Sequence, residues 1–267
     1  MTGEAKNVVA GGGYSPPPAR LLSVIMPVYN EQDTVVGMVG RVLEAGIDPV
    51  DIVVVEDGSG DDTRRRLESE EWPACVRIVF HEKNQGKGAA IRTGQRYVTG
   101  DAVVIQDADQ EYDPAELPRL LDAMDRFGAD AVYGSRYSGT EVIVDGFWHY
   151  YGNKGLTFFS NLCSNLHLTD METCYKMIRG DLFRSLQLEC NRFGIEPELT
   201  AKLAATGCTI CEVPISYRAR RFEEGKKIGL KDGLAALWYI AKYNFFAGKS
   251  EARIVHADAE GAIDRCG

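Results

Sequence analysis

The sequence predicts an α/β protein built on a doubly wound, mostly parallel sheet, and three observations carry that expectation. Short apolar runs alternate with longer stretches of helical periodicity, the pattern of strand–helix–strand units. Polar and acidic residues cluster just after several of the runs, at the strand ends where open α/β sheets bind ligands. No Pro-, Gly- or Ser-rich linker interrupts residues 20–248, so the second half is expected to continue the first as one domain.

Taken in order, residues 1–19 carry Gly11, Gly12, Gly13 and Pro16, Pro17, Pro18 without a periodic apolar face, which predicts a flexible leader. Strands are expected at 21–26, 52–55, 76–80, 102–105 and 131–133, with helices at 34–43 and 117–127 between them. The segment Asn84-Gln85-Gly86-Lys87-Gly88 enters another helix, and its free amides and the Lys87 ammonium suit a phosphate, although the spacing of a Walker loop is missing. The second half is less regular: helices are expected at 156–166, 198–205 and 230–246 and one strand at 209–213, with residues 249–267 as a flexible tail.

Composition bounds the function. A net charge of −9 argues against a nucleic-acid binder. No run approaches the roughly 18 apolar residues of a membrane span, and the start of the chain lacks a signal-peptide layout, so the expected place is the cytoplasm. Cys208 and Cys211 form the one CxxC pair, inside a strand-like stretch and without a second pair, which favours buried thiols over zinc.

The chemistry-bearing pattern is Val103-Val104-Ile105-Gln106-Asp107-Ala108-Asp109. Alternate residues of an extended chain project the same way, so the two carboxylates either converge on one Mg²⁺ or Mn²⁺ carrying a diphosphate or end a strand in a solvated loop. Position decides for the metal: Tyr29, Asn30 and Glu31 follow the first strand, and Glu56 and Asp57 the second. Three acidic clusters at one rim repel each other unless a cation or hydrogen-bonding ligand is present.

With Met26-Pro27-Val28-Tyr29-Asn30-Glu31, Val55-Glu56-Asp57-Gly58-Ser59, Asn84-Gln85-Gly86-Lys87-Gly88, Asp107-Ala108-Asp109 and Gly134-Ser135-Arg136 in this order, residues 21–246 resemble the family 2 glycosyltransferases of the GT-A fold. Within that family the resemblance is to the dolichol- or polyprenol-phosphate sugar synthases. It implies that Pro27, Tyr29 and Glu31 hold the nucleotide, that Asp57 meets the base edge and that Lys87 lies near the donor. It further implies Asp107 and Asp109 as metal ligands, with Glu111 third where those enzymes usually carry Gln. Ser135 and Arg136 would receive the acceptor phosphate, an arginine fork suiting that group, unless the segment is only a strand-ending turn.

Thr169-Asp170-Met171-Glu172-Thr173-Cys174-Tyr175-Lys176 keeps the charges of the family's corresponding stretch in Asp170 and Lys176 and departs between them. Asp170 otherwise caps a turn or pairs with an arginine. Glu196 and Glu198, at the start of a helix with Pro197, are candidates for a catalytic acid–base role, Glu198 being the residue expected at the catalytic position. A base is dispensable when the nucleophile is a phosphate monoester, whose second pKa lies near about 6. Arg218 and Lys226 belong to a basic segment that is either a surface loop or a cover over the phosphates.

The implied activity is inverting transfer of a hexose from a nucleotide sugar, a UDP-sugar first and GDP-mannose second, to polyprenyl phosphate. A soluble glycan acceptor and a non-catalytic nucleotide-sugar-binding subunit are the rivals. Peripheral attachment to the membrane is expected, with a small membrane-protein partner and self-association left open. Residues 234–246 either lie in the interface or pack as a core helix. Phe147, Trp148, Tyr150 and Tyr151 either line a lipid entrance or pack in the core.

Overall fold

A computed structural model describes residues 20–139, 146–218 and 230–246. The expected leader, the tail and Lys226 lie outside these residues. Seven strands form one sheet in the order β3-β2-β1-β4-β6-β5-β7. They are β1 (Leu22–Val28), β2 (Val50–Glu56), β3 (Val76–Phe80), β4 (Ala102–Ile105), β5 (Ala131–Ser135), β6 (Lys176–Arg179) and β7 (Ile210–Pro214). β6 runs antiparallel to both neighbours, and the other six strands share one direction.

The helices are α1 (Val35–Leu43), α2 (Thr63–Ser69), α3 (Lys87–Gln95), α4 (Leu117–Phe127), α5 (Phe147–Ser164), α6 (Gly180–Ser185), α7 (Ile195–Thr206) and α8 (Leu230–Ala241), with a π-helical turn over Lys242–Phe246. The central strands are buried over most of their length, as Val24, Ile25, Met26, Val54 and Val104 are, the pattern of a parallel sheet covered on both faces. α4 shows how sequence sets an element: Pro118 sits in its first turn, Leu117, Leu120, Ala123 and Met124 bury one face, and Gly128 at φ 58° ends it in the left-handed conformation that costs glycine least.

The short helices α2 and α6 were not expected, and two further elements differ from expectation. α5 begins nine residues before the expected 156, since its exposed aromatic start lacks the apolar/polar alternation that marks a half-buried helix. β6 is short, and its first residue is a lysine, so its apolar signal is two residues long. Its reversal positions the site: the chain enters β6 from the rim where the parallel strands end, which leaves residues 170–175 on that rim.

Candidate active site

The loops after β1 and β2 are laced together. Asn30, in the left-handed conformation at φ 56°, donates its amide to Ser59 Oγ (2.9 Å) and accepts from the Gly60 amide (2.8 Å). The Glu31 amide donates to Thr63 Oγ1 (2.9 Å), and Thr34 Oγ1 donates to Glu31 Oε2 (2.7 Å). These bonds hold Pro27, Tyr29 and Glu31 on one wall of a cavity of about 340 Å³ at the strand ends. Asp57, Lys87, Asp107 and Asp109 line the same cavity, so seven of the expected residues meet there.

Asp57 is buried and accepts four hydrogen bonds: from the Gln85 and Gly86 amides (2.9 and 2.7 Å), from Asn84 Nδ2 (3.1 Å) and from His81 Nδ1 (2.6 Å). A carboxylate has about four lone-pair directions, so in this conformation Asp57 is committed to shaping the 84–86 turn. A base-edge contact through Asp57 requires one of these partners to yield. Gly86 has φ 102°, and a Cβ there would lie 2.3 Å from Asn191 O, so the turn admits no side chain.

Lys87 Nζ bridges Asp107 Oδ2 (3.0 Å) and Glu196 Oε1 (2.9 Å). Burial opposes the ammonium, but Asp107 and Glu196 outweigh it and hold Lys87 well above the ordinary lysine range. Asp109 accepts from the Glu111 amide (3.1 Å) in a turn where Gln110 has φ 62°.

Glu111 departs from expectation. Its Oε2 accepts from Tyr217 Oη (2.7 Å), and among the described residues no three His, Cys, Asp or Glu side chains converge to hold a cation. The expected three-carboxylate set is therefore not assembled here. The remaining pair still fits a cation of the magnesium type, which is commonly held by one or two carboxylates plus substrate phosphates. Arg218 is exposed and outside the cavity lining, and its amide donates to Glu111 O (2.9 Å).

Three further expectations are corrected by burial. Glu198 is fully buried, its two oxygens accepting the Glu189 and Cys190 amides (2.7 and 2.8 Å), and it pairs with Lys202 (2.7 Å). It organises the 189–194 loop, and Glu196, bonded to Lys87, is the acidic residue at the site. Ser135 lies inside β5, fully buried, its hydroxyl 2.6 Å from Thr169 Oγ1, rather than facing an acceptor. Arg136 does present a fork, but Asp170 fills it, Nε and Nη2 donating at 2.7 and 2.8 Å. The structural alternative for Asp170, pairing with an arginine, is the one observed.

The 170–176 stretch brings buried charge to the rim. Lys176 donates to Met171 O (2.8 Å) and Thr173 O and lies 5.0 Å over the Tyr133 ring. Burial lowers its pKa. Burial pushes Glu172 up to about 7, Glu196 adding repulsion, and its Oε1 is buried without a hydrogen-bond partner. Arg192 and Phe193 also line the cavity and were not singled out as site residues in the sequence. They belong to a loop with no periodicity, whose only local signal is the Gly194 that ends it.

A parallel sheet with one reversed strand and a cavity at the strand ends lined by two carboxylates one residue apart fits the architecture of a glycosyltransferase. Residues 23–187 match the description Glycosyl transferase family 2, and the chain belongs to that family. It is 31% identical over 241 residues to an undecaprenyl-phosphate mannosyltransferase of Micrococcus luteus, covering 82% of this chain and 96% of the relative. It is 30% identical over 231 residues to a polyprenol monophosphomannose synthase of Mycolicibacterium smegmatis, covering 82% and 86%. Among solved structures it resembles glucosyl-3-phosphoglycerate synthase of Mycobacterium tuberculosis in complex with Mn²⁺, UDP and phosphoglyceric acid, with TM-score 0.65, 20% identity and coverage of 85% and 79%. That likeness places the fold among GT-A glycosyltransferases. The protein is a glycosyltransferase.

Proposed function

We propose that this glycosyltransferase moves a hexose, with inversion, from a nucleotide sugar to polyprenyl phosphate. The observation that carries the reading is the convergence of Pro27, Tyr29, Glu31, Asp57, Lys87, Asp107 and Asp109 on one cavity at the strand ends. The names of the two relatives covering 82% of the chain favour mannose as the sugar, which moves a mannosyl donor ahead of a UDP-sugar.

In this reading an acceptor phosphate oxygen bonds to the anomeric carbon while the bond to the donor diphosphate breaks, and the nucleoside diphosphate leaves with the electron pair. Neither a proton nor a general base is needed, because the phosphate is an anion at neutral pH. Asp107 and Asp109 would hold a divalent cation, and the chemistry it would supply is positive charge beside the leaving diphosphate. Lys87 adds a second positive charge there, and Glu196 and Asp107 fix its position.

Among the described residues no helix is long and apolar enough to cross a membrane. Peripheral attachment is supported by α5 and α8, which pack together and leave Phe147, Trp148, Tyr151, Phe158, Trp238 and Phe246 at least half exposed. α5 carries no carboxylate in a chain of net charge −9, which suits an anionic lipid surface. Ile240 and Tyr243 are buried, so the α8 segment is both core and surface; of the α5 aromatics Phe147, Trp148, Tyr151 and Phe158 are surface, Tyr150 is half-buried and Phe159 packs against the core.

The test is incubation with Mn²⁺ or Mg²⁺, GDP-mannose or UDP-glucose, and a short polyprenyl phosphate, measuring nucleoside diphosphate and organic-phase sugar. Release that depends on lipid with one donor supports the reading. Release without lipid dependence and without an organic-phase product transfers the acceptor to the soluble class.

A further inference from the structure

Arg192 and Phe193 form a wall of the cavity to which the functional reading assigns no task. Their loop is built to be rigid. Glu198 takes its amides at Glu189 and Cys190, and Arg92 Nη1 donates to Glu189 O (3.2 Å) and Asn191 Oδ1 (2.6 Å). Gly86 and Gly88 lie so close to it that a Cβ on either would come within 2.3 Å of the Asn191 or Cys190 carbonyl oxygen. On this fixed loop the Phe193 ring is 70% exposed, and Tyr29, 47% exposed, is the one other aromatic of the cavity lining. An apolar ring held rigidly at a cavity wall gains from being covered by a flat partner.

We infer that Phe193 is a donor-binding residue whose ring, together with Tyr29, clamps the face of the nucleobase. The inference rests on reading the cavity as a nucleotide-sugar site and adds the part that recognises the base. One observation places the clamp at the base end. The loop touches the turn organised by Asp57, since the Gly86 Cβ position lies 3.0 Å from Arg192 Cγ and the Gly86 amide donates to Asp57. With the four acceptor directions of Asp57 taken up by protein donors, edge recognition is short of acceptors, and stacking on the base face supplies affinity that needs none.

Calorimetric titration of the whole protein with UDP and with GDP, with and without Mn²⁺, tests it on Phe193→Ala and Phe193→Tyr. Phe193→Ala is expected to weaken whichever nucleotide the unaltered protein binds about tenfold, which is about 1.4 kcal/mol and within the range for one stacked base. The same loss is expected for the corresponding nucleoside monophosphate without metal, with Phe193→Tyr close to the unaltered protein and all melting temperatures alike. Unchanged nucleotide affinity in Phe193→Ala, or a loss confined to KM for polyprenyl phosphate, overturns the clamp and assigns the ring to the acceptor side. An unaltered protein that binds neither nucleotide overturns the site reading itself, and the clamp with it.

Discussion

Asp109 and Glu198 are both carboxylates near strand or helix ends, yet their surroundings assign them opposite roles. Asp109 lines an open cavity, so Asp109→Ala is expected to lower turnover at least about 100-fold, on the scale of losing one electrostatic stabiliser of a leaving group, while leaving the melting temperature unchanged. Loss of folding in that variant assigns Asp109 to the scaffold. Glu198 is sealed beside Lys202, and Glu198→Ala leaves two loop amides without their acceptor and the buried Lys202 ammonium without its buried counter-charge, the Gln187 carbonyl remaining to it. Removing one partner of a buried pair typically costs about 3–5 kcal/mol, and urea denaturation is expected to report a loss of that size. In sequence Asp109 ends an apolar run and Glu198 opens a helix, but neither pattern reports burial. What separates them is whether the surrounding chain encloses the carboxylate or leaves it facing the cavity.

The turn before α3 works as an element because backbone meets backbone without side chains between. Gly86→Ala places a methyl group on Asn191 O and forces a residue with φ 102° into a strained conformation. Strain of that kind costs about 1–3 kcal/mol, and displacement of the loop moves Phe193 as well. The expected result is a lower melting temperature together with weaker nucleotide binding, whereas Gly37→Ala inside α1, where a Cβ meets nothing within 4 Å, is expected to leave nucleotide binding unchanged and to raise the melting temperature, alanine being favoured over glycine in a helix interior by about 1 kcal/mol. The α5–α8 pair makes a separate, measurable claim. Trp148→Glu is expected to reduce co-sedimentation with phosphatidylglycerol vesicles without altering nucleotide binding, because Trp148 is 84% exposed on a helix away from the cavity lining. Unchanged sedimentation removes this face from membrane contact and leaves a protein partner as its occupant.

At the scale of the whole molecule, the charges at the rim link folding to pH. Glu172 is shifted up from its ordinary 4.5 to about 7 by burial and by Glu196, so the folded state holds a proton there that the unfolded chain releases. Its contribution to stability is fully present below about pH 4.5 and is lost as pH rises through about 7. Lys176, lowered by burial, sheds its proton more readily in the folded state, and its contribution runs the other way at higher pH. Chemical denaturation between pH 5 and 7 is therefore expected to show a decline in stability that Glu172→Gln abolishes. An equal slope in both proteins assigns the decline to other groups.

The sequence by itself determined the sheet, its parallel character and the strand-end location of the site, because alternation of short apolar runs with helical periodicity is local information. It also determined Tyr29, Glu31, Asp57, Asp107 and Asp109, which follow strand ends, since chain direction alone delivers those positions to one rim; Pro27, inside β1, and Lys87, at the start of α3, were implied by the family resemblance. The tertiary structure decided the rest. β6 could not be read from two apolar residues; its place between β4 and β5 comes from pairing with strands distant in sequence. That insertion sets Asp170 into the Arg136 fork and carries Glu172 and Lys176 to the rim. Burial then separated carboxylates that look alike in sequence, Glu196 against Lys87 and Glu198 under the loop. The packing of that loop against two glycines set Phe193 at the cavity wall. Each of these depends on which side chains meet across the fold, and a pattern along the chain carries no such information.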